Sequence, residues 1–358
     1  MDGSAESAIR QGLTSSVIGN CGHGPAPAPK KALAKLVTIG VNASWNIDFE
    51  WNSFGEYLDA LIAKGQSMNV AALVPHGTIR IAVMGYDSGK PTVRQISRMC
   101  SLVDEAMSAG AVGISTGLEY SPGRYADQAE LVDLSRVVGR YGGVYASHIR
   151  ERGDKFEDSV REALNIGRLA EVPVQLSHLA PRPYAPSGVL ERVLSTIHSV
   201  SETGQDVGID TFPDTWGPAH LLDLVPPWVY EGSDDDVLIR LRDPSVVEQA
   251  RDYFENESNF LLRLGGMDKF FLSHSSAHPE FVSLSLESIA NQWGIDELSA
   301  IFRLAADDGK DFGSVFFRRE GRLKHVNYYL FINFAEKLCP SLPWAATPVP
   351  RTFVSTSI

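Results

Sequence analysis

Three residues of this chain have types and positions that could build a reactive centre: Cys21, His148 and His178. Cys21 lies in GNCGHG, directly after a β-branched run and flanked by Gly19, Gly22 and Gly24, where backbone can approach a ligand closely. His148 and His178 close the runs YASH and QLSH, 30 residues apart. One thiolate and two imidazoles suit zinc, with expected bonds of roughly 2.3 Å to sulfur and 2.0 Å to nitrogen, and three protein ligands leave a position open for water. Zinc so held polarises a carbonyl and lowers the pKa of its water to about 7, which hydrolysis of an unactivated amide needs, while a second residue, usually a carboxylate, moves the proton. Each residue also has a plainer reading. A lone Cys packs as a small hydrophobe, and a lone His caps or fills a core.

What decides between these readings is the set of elements that would carry the three side chains. Short apolar runs alternate with helical patterns from about residue 10 to 225, the mark of successive strand-helix units in a parallel sheet. The expected strands are 13–19, 69–74, 112–116, 143–147, 173–177 and 207–212, and KFEDSVREALNIGRLAEV reads as a crossover helix with Phe156, Val160, Ala163, Leu164 and Gly167 on one stripe. Strand ends at Thr116, His148, His178 and Phe212 are 32, 30 and 34 residues apart, one strand-helix unit each time. Parallel strands would bring His148 and His178 to one C-terminal rim, where barrel enzymes keep their chemistry. No G-x-G-x-x-G follows any of these strands, which favours a TIM-like (β/α)8 barrel over a doubly wound sheet. The six units stand two short of eight.

Residues 1–225 are therefore expected to form a partial barrel, 226–325 a helical insertion and 326–358 an atypical tail. His23, His76 and Tyr120 follow strand ends and could line the same mouth, whereas His198, His220 and His325 fall in helical or insertion segments and read as structural or solvated. HSSAH, 274–278, lacks the Glu of a metalloprotease motif and reads as loop surface.

Composition narrows the function classes. The 358 residues are 44% hydrophobic and 21% charged, enough to bury a substantial core. A net charge of −12 repels phosphate backbones and anionic lipid heads, so nucleic acid and membrane surfaces are excluded as expected partners. There is no run of 18 apolar residues, and MDGSAESAIR has neither a basic nor an apolar leader region, so a cytoplasmic protein is expected. Three cysteines, Cys21, Cys100 and Cys339, are too few and too distant for a disulfide framework.

Seven segments in order carry a likeness to a known family: GNCGHGPAP (19–27), FEWNSFGEYLDAL (49–61), NVAALVPHGTIRIAVMG (69–85), GAVGISTGLEYSPGRYA (110–126), GGVYASHIRERGD (142–154), VPVQLSH (172–178) and LVPPWVYEGS (224–233). The chain resembles the N-acyl-D-amino-acid deacylases, or D-aminoacylases, of the amidohydrolase superfamily. The resemblance implies a zinc-dependent hydrolase on a metal-dependent-hydrolase barrel, cleaving N-acyl-D-amino acids to a carboxylate and a free D-amino acid. It also implies that Cys21, His148 and His178 hold the tightly bound zinc, that Tyr120 faces substrate, and that Arg150 matches the Arg after the ligand His.

Departures from the family pattern accompany this likeness. The chain has no H-x-H and no His before His23, and no Asp after Asp311 to match the family's catalytic Asp on strand eight. Asp210 and Asp214 are the substitutes the sequence offers. Ala180 stands where a Lys is expected, and the segment after the seventh family strand reads DTFPDTWG. By this comparison the chain covers about strands two to seven and looks truncated at both ends. The alternative to an active deacylase is thus an impaired fragment that keeps at most zinc or partner binding.

Overall fold

A computed structural model of the protein describes residues 3–29, 50–85, 87–211, 216–230, 234–256, 263, 265–309 and 312–318. Asp214, His325, Cys339 and the tail expected at 326–358 lie outside the described residues.

Six parallel strands pair in chain order: β1 (Ser15–Ile18), β2 (Asn69–Pro75), β3 (Gly113–Gly117), β4 (Val144–His148), β5 (Val174–Leu176) and β6 (Val207–Ile209). They coincide with the six apolar runs of the sequence and curl as a partial barrel. Because parallel neighbours need a crossover, helices follow the strands: α1 (Glu6–Arg10) precedes β1, α2 (Phe54–Lys64) precedes β2, and α3 (His76–Met84) and α4 (Val93–Ser108) precede β3. Then α5 (Gln128–Gly139), α6 (Phe156–Ala170) and α7 (Val189–Glu202) alternate with β4, β5 and β6.

Local chemistry fixes where these helices begin. Ser53 and Glu56 form a reciprocal capping box on α2, Thr92 and Gln95 another on α4, and the Asp127 side chain caps α5. The stripe read from α6 is the buried one, with Phe156 and Val160 at 0% exposure, and its face packs on the sheet beside Val174 and Leu176. Pairing of Gly117 with His148 and of Ser147 with Leu176 sets the register, so the carboxyl ends of β3, β4 and β5 share one rim.

A second core forms from later residues. Helices α8 (Asp234–Leu241), α9 (Pro244–Asn256), α10 (Leu286–Trp293) and α11 (Glu297–Asp307) pack with an antiparallel sheet of β7 (Trp216–His220), β8 (Phe270–His274) and β9 (Ser314–Arg318), β9 lying in the middle. Beside β8, Ser275 is buried and donates to Asp308 at 2.7 Å, so this part of HSSAH is an internal brace instead of loop surface. The two cores meet where Arg263 stacks over the Tyr184 ring at 4.0 Å and pairs with Asp154 at 2.8 Å. No helix among the described residues is long and apolar enough to cross a membrane.

Phe156→Ala removes a fully buried ring between α6 and the sheet. The urea midpoint should fall by the equivalent of about 3–5 kcal/mol, with an unchanged slope.

Candidate metal centre

Cys21, His148 and His178 come together: each offers one ligand atom, and these atoms lie within 4.8 Å of one another. They form the single such group found among the described residues. Cys21 Sγ is 3.5 Å from His178 Nε2, and the two imidazole rings stand edge to face with centroids 4.4 Å apart.

The local folding of each ligand follows from its strand. His148 is the last residue of β4, in regular extended backbone. Cys21 and His178 sit just beyond β1 and β5 with φ of 58° and 38°, left-handed values that side-chain-bearing residues adopt at a cost. The Asp210 carboxylate at the end of β6 accepts from the His178 backbone N–H at 2.6 Å and from Gln175 Nε2 at 2.8 Å, which stabilises that turn. At Cys21 the support comes from backbone contact. A Cβ on Gly22 would lie 2.6 Å from Gly117 N, and one on Gly117 would lie 2.2 Å from the Cys21 carbonyl oxygen, so only glycine at both positions lets the thiol turn rest on the end of β3. Ser115 Oγ joins the same contact, accepting from Gly22 N–H at 3.0 Å and donating to the Gly19 carbonyl.

Tyr120 walls the cluster. Its ring stacks on His23 at 4.6 Å and meets His148 edge-on at 5.0 Å, while its hydroxyl donates to the Cys21 carbonyl at 2.5 Å. Burial, with the Cys21 sulfur close by, pushes the Tyr120 pKa well above the phenolic value.

Behind His148 lies a buried ion cluster. Glu119 accepts from His148 Nε2 at 2.7 Å, from Arg152 Nη2 at 3.1 Å and from Arg182 Nη2 at 2.9 Å. Burial alone would raise the Glu119 pKa, but Arg182, Arg152 and the His148 bond outweigh it and hold the carboxyl well below its usual range. Burial lowers His148 to about 4 and His23 to about 3, the latter helped by His220 and His148, so both imidazoles are neutral near pH 7. His178 is likewise pushed well down, by burial and then by His148 and Arg152. Arg152 Nη1 lies 3.3 Å from His178 Nδ1, so that His178 Nε2 is the ring nitrogen that faces the Cys21 sulfur.

Other residues singled out from the sequence are placed differently. His76 is completely buried and bonds Glu130 at 2.8 Å, beside Arg80 on the same carboxylate, so it braces α3 against α5 instead of lining a mouth. Arg150 is held by Glu162 at 2.8 Å and by the carbonyls of Arg124 and Ala126, which spends its donors on the fold. Both Asp210 oxygens are engaged at the β5 turn, by the His178 backbone N–H and Gln175 Nε2. His220, read as structural or solvated, acts electrostatically on His23, and Asp223 beside it has its pKa raised by burial. The sequence reasoning passed over Glu119, Arg152 and Arg182. Their signal is that each arginine follows a ligand histidine by four residues, in HIRER and HLAPR.

No family model matches the chain. The chain is 32% identical over 352 residues to an N-acyl-D-glutamate deacylase of Alcaligenes xylosoxydans xylosoxydans, covering 96% of this chain and 61% of that protein. A D-aminoacylase of the same organism is 36% identical over 214 residues, 60% of this chain and 43% of that one. A solved N-acyl-D-glutamate deacylase from Bordetella bronchiseptica, complexed with zinc and a phosphonate mimic of the tetrahedral intermediate, superposes with a TM-score of 0.69 at 27% identity, covering 94% of this chain and 59% of that one. The chain is a relative of the N-acyl-D-amino-acid deacylases. This deacylase homologue thus spans less than two thirds of the length of these relatives. A solved D-aminoacylase with a binuclear metal centre, in which one metal activates and a second attenuates, aligns with a TM-score of 0.65 at 28% identity, over 87% of this chain and 55% of that one.

The buried neutral histidines give the homologue a defined acid response. Unfolded histidine takes up its proton near 6.5, whereas folded His148 and His23 take theirs near 4 and 3, so the unfolded state binds more protons between those values. Depressed Glu119 acts in the same direction below its ordinary value of 4.5. Chelator-treated protein should therefore lose stability as pH falls from about 6.5 toward about 4. Urea midpoints measured across that window test this, and a flat series contradicts it.

Proposed function

We propose that this chain hydrolyses the amide bond of N-acyl-D-amino acids with zinc held by Cys21, His148 and His178. The observation that carries the reading is the convergence of one thiol and two neutral imidazoles from three separate strand ends. Such a soft, three-ligand set fits zinc, and the buried carboxylate behind His148 is the kind of partner that metal-ligating histidines have. The solved relatives described as holding zinc and as activated by one metal support a single-ion reading.

Zinc at this position supplies Lewis-acid polarisation of the amide carbonyl and makes water acidic enough to be a nucleophile near neutral pH. The chain's own residues supply the rest. Cys21 and the two histidines would hold the ion at the rim. Tyr120 closes one wall and, with its hydroxyl held by the Cys21 carbonyl, presents its ring to the substrate side. The buried guanidiniums of Arg152 and Arg182 exceed the Glu119 carboxylate by one positive charge, a field that favours the carboxylate of an N-acyl amino acid. We assign the protein to the cytoplasm, because a site that depends on a free Cys21 thiol suits a reducing compartment.

Purified protein exposed to zinc and dialysed should hold about one equivalent. It should also hydrolyse N-acetyl-D-glutamate or N-acetyl-D-methionine, and Cys21→Ala should lose both the metal and the activity. A chain that stays metal-free after zinc exposure overturns the zinc reading. One that holds zinc but turns over neither substrate is the impaired form.

A further inference from the structure

Glu119 is an expensive residue to bury. Its side chain is only 5% exposed, and it belongs to the cluster not as a candidate ligand but through its contact with the ring of one, His148. A carboxylate there is held by three donors: Arg182 reaches both of its oxygens, at 3.1 and 2.9 Å, Arg152 reaches one at 3.1 Å, and His148 Nε2 lies 2.7 Å from that same oxygen. With two guanidiniums on it the group remains a carboxylate and can only accept, so the nitrogen facing it must carry the proton. A neutral imidazole carries one proton. Its other nitrogen is then an unprotonated lone pair.

We propose that Glu119 is a positioning residue for the metal: it fixes His148 as the Nε2–H tautomer and so dedicates Nδ1 to coordination. The inference rests on the zinc reading of the Cys21, His148 and His178 cluster. It adds that the loop after β3, which contributes no ligand, decides which face of the β4 histidine the ion sees. Arg152 extends the control, because the guanidinium that grips Glu119 also lies 3.3 Å from His178 Nδ1, so a single pair touches both ligand rings. Removing a partner that orients a metal-bound histidine typically weakens metal affinity 10–100-fold.

The test compares full-length wild type, Glu119→Gln and Arg182→Met for zinc affinity, by competition with a chromophoric chelator, with far-UV circular dichroism confirming the fold of each. Glu119→Gln should bind zinc about 10–100-fold more weakly. Arg182→Met keeps the Glu119 bond to His148 while unsettling the same buried cluster, and should bind more tightly than Glu119→Gln. Wild-type affinity in Glu119→Gln, or equal losses in both variants, overturns the proposal. Long-range 15N–1H spectra of zinc-loaded wild type read the tautomer directly and decide the matter if a variant does not fold: a proton on His148 Nε2 is expected, and one on Nδ1 overturns it. Wild type that binds no zinc overturns the metal-centre reading itself, an outcome distinct from wild type that binds while Glu119→Gln binds equally well.

Discussion

The site depends on one buried carboxylate and the charges that make its burial tolerable. Glu119 removed from water without partners would cost several kcal/mol, and the two guanidiniums with the His148 N–H offset that cost only if all three arrive together. Their arrival ties the loop after β3 to the loops after β4 and β5. The three loops therefore cannot drift apart independently, and the geometry of the ligand histidines follows from an ion cluster that is not itself among the ligands.

The thiol is held by a different device. Its turn is seated on β3 through glycine backbone at Gly22 and Gly117, with Ser115 threaded between Gly22 and Gly19. Charge organises the histidine side of the centre, and close backbone approach organises the cysteine side. Both converge on β3, which supplies no ligand atom and lies between the strands that do. Two of the three candidate ligand residues have left-handed backbone, a local strain that these supports must offset.

Much of this was legible in the sequence because parallel strand-helix units repeat a simple pattern. Each apolar run is bounded by turn residues, and histidines recurring at two successive strand ends point to a shared rim. What period could not convey was the direction of a side chain once past the strand. His76 and Arg150 lie at plausible positions yet turn into the fold, toward Glu130 and Glu162. Glu119 was hidden because its partners are 33 and 63 residues away, and pairing of that kind has no local signature. The antiparallel sheet of the second core escaped notice for the same reason, since β7 pairs with β9 across nearly the whole segment between them.

The in-order sheet also has a consequence for how the molecule comes into being. Every strand of β1 to β6 pairs with its predecessor, so a growing chain can add each unit to the one already docked, with only modest loops to close at each step. The contact of Cys21 with His178 is of another kind, since it joins residues 157 apart. It becomes available only after five strands are in place. The centre is thus a late product of assembly and not its template, and an ion bound there would act as a clasp between the oldest strand and a much younger one.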